Sequence, residues 1–111
     1  MNAEEIRNQV VIRPSGRITA AGAEEFRREL LRHVEAGKVH IRIDLEDVDM
    51  IDSKGLAVFI VCHQTVSQKG GSLTVVTDKG DLRQLFCVMR LDQHFTVCGS
   101  TEAAPVPAVA S

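Results

Sequence analysis

The sequence predicts an α/β fold, a mixed four- to five-stranded sheet covered by helices. Three observations carry this. Residues 39–45, VHIRIDL, alternate strictly: Val39, Ile41, Ile43 and Leu45 point one way, His40, Arg42 and Asp44 the other. That is the pattern of a strand with one buried face. Just upstream, Phe26, Leu30, Leu31 and Val34 recur at helical spacing, which makes one apolar helix face. Strand and helix patterns then take turns along the chain, the order that builds a sheet with helices packed on it.

The elements follow in order. Residues 4–13 include IRNQVVIR, read as two short strands joined by a turn at Asn8. Pro14, Ser15 and Gly16 end or bend the second strand. Residues 19–36 form a helix, with Thr19 placed to cap it, Glu24 and Glu25 near its positive end and Gly37 to stop it. The strand over 39–45 leads into an acidic loop, 46–52. The apolar run 56–62 is too short for its period to decide between strand and helix. Asp52 and Ser53 are good caps, the segment extends to Lys69, and Gly70 and Gly71 supply a stop, so a helix is favoured. SLTVVTD is the next strand. Residues 79–89 form a helix with Leu82, Leu85, Phe86 and Met89 on one face, and HFTVCG gives a last short strand. The expected order is β β α β α β α β.

The 111 residues suit a single domain. It is expected over 1–100, with 101–111, rich in proline and small residues, as a disordered tail. At 44% hydrophobic and 25% charged, the chain can bury a core without disulfides or a metal. A net charge of -2 gives no basic field for nucleic acid or acidic membrane. With four Phe and no Trp or Tyr, stacking platforms for bases are scarce. No apolar run reaches the length of a membrane span, and the first residues lack a signal-peptide layout. A cytoplasmic location is expected. Cys62, Cys87 and Cys98 form no C-x-x-C pair and are expected as reduced thiols that behave as small core residues.

The strand-loop-helix unit over 39–69 is the best candidate for a site, because ligand sites in α/β sheets favour the carboxyl ends of strands. Ser53 stands there, at a helix start with unpartnered N–H groups and partial positive charge, a good place for a phosphate. Serine is equally an ordinary cap. Other chemistries are less well supported. There is no G-x-x-x-x-G-K-[ST], no G-x-G-x-x-G and no G-x-S-x-G, which argues against a nucleotide engine or a hydrolase elbow. His33, His63 and His94 lie on different expected elements and read as surface or partly buried residues; His40 reads as an exposed strand residue. The acids Asp44, Glu46, Asp47, Asp49 and Asp52 would suit magnesium, and a receiver domain also places an aspartate after a strand. That fold needs an acidic pair at the end of its first strand, where this chain has VVIRPSG. The acids are therefore read as a solvated loop.

IDLEDVDMIDSKGLAVFI resembles the signature segment of STAS domains, specifically the bacterial anti-sigma factor antagonists, whose pattern is a strand, an acidic turn and D-S-[ST]-G-L opening a helix. SGRIT upstream, and GGSLTVV and LRQLFCVMRLDQHF downstream, extend the resemblance over roughly residues 5–100. It implies the STAS fold and a protein that is not an enzyme and needs no cofactor or metal. It implies that Ser53 is phosphorylated by a partner that is both an anti-sigma factor and an ATP-dependent serine kinase. Unphosphorylated antagonist binds that partner and frees the sigma factor; the phosphorylated form lets go, and a phosphatase resets it. Thr19, Asp52, Ser53, Lys54, Gly55 and Leu56 are the implied partner-binding residues. Lys54 departs from the family, standing where a second small hydroxyl residue is usual, and Thr19 stands where many antagonists carry an acid. Two alternatives remain. One is a non-switching STAS subunit docked on a transporter ATPase or a signalling scaffold, with Ser53 only a cap. The other is an enzyme, thiol-based or receiver-like.

Overall fold

The computed structural model describes the backbone of residues 2–6 and, in full, residues 9–101. The turn expected at Asn8 and the tail from residue 102 onward lie outside the described residues. The elements are β1 (Asn2–Ile6), β2 (Gln9–Arg13), β3 (Gly16–Ile18), α1 (Ala20–Glu35), β4 (His40–Asp44), β5 (Val48–Ile51), α2 (Ser53–Gln68), β6 (Ser72–Val76), α3 (Gly80–Val88) and β7 (Thr96–Cys98). A short 3-10 turn, Leu91–Gln93, precedes β7.

The main sheet has the order β1-β2-β4-β6-β7. β1 runs antiparallel to β2, and the remaining pairs are parallel. Parallel neighbours need long crossovers, which the three helices provide. Register explains why the helices share one core. Val10 faces Ile41 and Ile41 faces Leu73; Ile12, Ile43, Val75 and Val97 form the next row. These rows belong to the same buried cluster as Phe26 and Leu30 of α1, Phe59 and Val66 of α2, and Leu82 and Phe86 of α3. All four phenylalanines of the chain run through that layer. Their ring centroids are 5.5 Å apart for Phe26–Phe59, 5.3 Å for Phe59–Phe86 and 6.1 Å for Phe86–Phe95, within the range of favourable aromatic pairs.

The structure corrects the sequence reading at several points. The expected loop 46–52 contains β5, and residues 16–18 form β3; the two pair in parallel as a separate ribbon. β5 is buried only at its ends, Val48 and Ile51, so it shows no alternation. Thr19 flanks α1, but its side chain makes no cap hydrogen bond, and no acid lies in the first turn. His33 is buried, 2% exposed, because it continues the stripe of Phe26 and Leu30; its Nε2 lies 3.2 Å from Glu29 Oε1. His63 is half-buried and His94 exposed, as expected, and their ring centroids lie 6.2 Å apart. Met89 is 54% exposed, because α3 ends at Val88 and the chain reverses through Arg90 at φ 58°. Cys87 is exposed, whereas Cys62 and Cys98 are buried as expected.

Candidate functional site at two helix starts

The β3–β5 ribbon builds the site. Its last pair is Ile18 and Ile51, and each strand passes into a helix after a single residue, Thr19 for α1 and Asp52 for α2. Pairing the strands therefore sets the two helix N-termini side by side. The Asp52 N–H donates to Ile18 O at 3.2 Å and extends the ribbon by one bond.

Asp52 then serves both helices. Its Oδ1 accepts the Gly55 N–H at 2.9 Å and its Oδ2 accepts the Ala20 N–H at 3.0 Å. A helix start leaves several N–H groups without partners, and here one carboxylate answers one from each helix. The Gly55 N–H, followed by those of Ala20 and Lys54 and the charge of Lys54, holds the Asp52 carboxyl below the usual carboxylate range, against a partial desolvation cost. Gly55 allows the approach. A Cβ there would run into the carbonyl oxygen of Ile18 and press on the methyl groups of Ile18 and Ile51.

Of the six residues implied for partner binding, four reach the surface. Ser53 and Lys54 are exposed, while Thr19 and Asp52 are half-buried. Gly55 and Leu56 face inward, Leu56 at 5% exposure. They hold the α2 start in place beneath the exposed pair. The Ser53 hydroxyl has no hydrogen-bond partner among the described residues; Asp52, not Ser53, is the cap.

The other acids do not converge on this point. Asp44 accepts the Glu46 N–H at 3.0 Å and lies 3.8 Å from Arg13. Asp49 lies 3.9 Å from Lys79, whose ammonium donates to Val48 O at 2.6 Å and ties the start of α3 to β5. Among the described residues, no group of three or more His, Cys, Asp or Glu is disposed to hold a metal ion. No described helix is long and apolar enough to cross a membrane.

The STAS domain family model matches residues 1–104. The chain belongs to the STAS domain family. BtrV of Bordetella bronchiseptica, named as a candidate anti-sigma factor antagonist, is 28% identical over 104 residues, covering 94% of this chain and 90% of its own. The anti-sigma-B factor antagonist of Bacillus subtilis is 28% identical over 102 residues, covering 92% of this chain and 93% of its own. The Bacillus cell fate determinant SpoIIAA, solved in its phosphorylated form, shares the fold with a TM-score of 0.71 at 19% identity, over 91% of this chain and 93% of that one.

Sequence reasoning missed two parts of this STAS site. One is the N–H of Ala20, which no side-chain pattern marks. The other is a groove of about 340 Å³ between α1 and α2, lined in part by Ala20, Ala23, Ala57 and Val61. Small residues at helical spacing on two neighbouring helices are the signal that could have found it.

Proposed function

We propose that this STAS protein is an anti-sigma factor antagonist that binds an anti-sigma factor with serine kinase activity, and that phosphorylation at Ser53 releases it. It acts in the cytoplasm by binding rather than by catalysis, frees a sigma factor while bound, and is reset by a phosphatase. The observation that carries the reading is the exposed, unpartnered hydroxyl of Ser53 beside a carboxylate already fixed on two helix starts.

That arrangement decides what a phosphate does. The sequence alone suggested that free N–H groups would receive it. The N–H groups of Gly55 and Ala20 are instead held by Asp52. A phosphoserine carries about -1.5 to -2 charges at neutral pH, so the new dianion stands next to an ionised carboxylate and is displayed outward. Lys54 is the neighbouring cation, and an exposed pair contributes only about 1 kcal/mol or less. Burying the dianion against a partner without matching cations costs several kcal/mol, on the order of a thousandfold or more in affinity. The fold is left intact while the surface changes from accepting a partner to refusing it.

The test is capture from host lysate by Ser53→Ala and Ser53→Asp proteins. Capture of an ATP-binding anti-sigma factor by the alanine form alone is the expected result. Equal capture of one transporter ATPase or scaffold protein by both forms would reduce Ser53 to a surface residue and overturn the reading.

A further inference from the structure

We infer that His63 of α2 and His94, at the end of the 3-10 turn, form a two-histidine chelate for a divalent transition-metal ion of the zinc class. The site is separate from the Ser53 switch. His63 lies farther along the same helix, about 15 Å from Ser53 along its axis, so the site stands or falls independently of the function proposed above.

The fold brings together two histidines that are far apart in sequence. Arg90 reverses the chain after α3 at φ 58°. Leu91 O then accepts the N–H groups of His94 and Phe95 at 3.0 and 3.1 Å, which fixes the backbone that carries His94. Phe95 is buried and packs on the His63 ring, with centroids 5.7 Å apart. The Ser67 hydroxyl, one turn farther along α2, lies 3.4 Å from His63 Nδ1. A partner on one imidazole nitrogen sets the tautomer and leaves the other nitrogen as a metal ligand. For His63 that ligand is Nε2.

The donor chemistry selects the ion. The two rings border a cavity of about 160 Å³ lined by Ile60, His63, Gln64, Leu91, His94 and Phe95. That lining holds no lysine or arginine to repel a cation and no carboxylate to favour calcium or magnesium. Imidazole nitrogen suits zinc, copper and nickel, whereas magnesium and calcium take oxygen. With zinc–nitrogen bonds of about 2.0–2.1 Å, tetrahedral ligation puts two imidazole centroids roughly 5 Å apart. The observed separation is 6.2 Å. His94 is exposed, so a rotation of its side chain closes the difference. Gln64, exposed on the same rim, can add an amide oxygen, and water completes the shell. A bound ion would tie the turn before β7 to α2.

The test is calorimetric titration of Zn²⁺ into the whole protein in a buffer that does not bind metals, with the imidazole resonances followed by NMR in parallel. Zn²⁺ should bind at concentrations where Mg²⁺ gives no heat. His63→Gln and His94→Gln should each weaken binding by about tenfold or more, because the remaining ligand loses its chelating partner. His40→Gln and Cys87→Ser, which alter a strand histidine and the exposed thiol, should bind as the parent does. In the unaltered protein Zn²⁺ should shift the imidazole signals of His63 and His94 together, a readout that does not depend on how any variant folds. Absence of binding at millimolar Zn²⁺ overturns the site. Affinity lost with His40 or Cys87 and kept without the pair overturns it as well. An affinity lowered by only one of the two histidine variants, or a shift of only one of the two rings, overturns the chelate.

Discussion

Asp52 Oδ2 accepts the backbone N–H of Ala20 at 3.0 Å, across 32 positions of sequence. The same carboxylate caps its own helix through Gly55, so a single residue ties together the starts of α1 and α2. The display of Ser53 depends on that joint.

Substitution at Asp52 should separate its two roles. Asn keeps one oxygen acceptor, enough for the Gly55 N–H, but turns a donor toward Ala20. Ala keeps neither. Thermal unfolding should give a Tm lowered by roughly 5 °C or more for Asp52→Ala and by a smaller amount for Asp52→Asn. Equal values for the two variants would show that the acceptor Asn keeps for the Gly55 N–H contributes nothing, and a Tm unchanged in Asp52→Asn would show the same for the bond to Ala20.

The depressed carboxylates set the acid limit of the fold. Hydrogen bonds hold three of them below their ordinary values: Asp52 by Gly55 first, Asp78 by the Ser100 hydroxyl and then its N–H, and Glu29 by Arg32 first. The unfolded chain therefore binds protons more readily than the folded one. Their contribution is complete above the unfolded values near pH 4 and is lost as pH falls through the lower folded values. Urea midpoints should be level with respect to these groups from pH 7 to about 5 and fall below about 4. Asp52→Asn should lessen the fall, and an unchanged acid slope would remove Asp52 from the account.

Two glycines should respond oppositely to alanine. At Gly55 the added Cβ meets the Ile18 carbonyl, whereas at Gly22, within α1, nothing lies within 4 Å. Gly55→Ala should cost about 2 kcal/mol or more. Gly22→Ala should stabilise by about 0.5–1 kcal/mol, because alanine is the better helix former. Denaturant titration reads both, and a tolerated Gly55→Ala would contradict the close approach of α2 to β3.

Thiol labelling should follow burial. Cys62 is buried and its thiol is pushed up to about 12 by desolvation, so almost no thiolate forms at neutral pH. Cys87 is exposed. Iodoacetamide with mass-spectrometric mapping should modify Cys87 first and reach Cys62 only on unfolding. Early modification of Cys62 would mean that the layer around Phe59 opens in the native state.

What the sequence reveals here depends on how local each feature is. β4 and β6 are legible because their periods repeat over several residues, and α2 because its cap and its glycine stop flank an apolar run. β3 and β5 are not, since three and four residues carry no period and their reason for being extended is each other. The serine and its neighbours could be read from a motif. The double cap could not, because it joins residues that only the folded ribbon brings together. His33 shows the same limit: position 33 fits the buried stripe of α1, but its tolerance there comes from Glu29 one turn earlier.

The most direct measurement is the affinity of the anti-sigma factor for this protein, unmodified and with phosphoserine at position 53, by titration calorimetry under identical conditions. The account predicts binding by the unmodified form and a loss on the order of a thousandfold or more in the phosphorylated one. Equal affinities would contradict it, and Ser53 would be no more than the first exposed residue of α2.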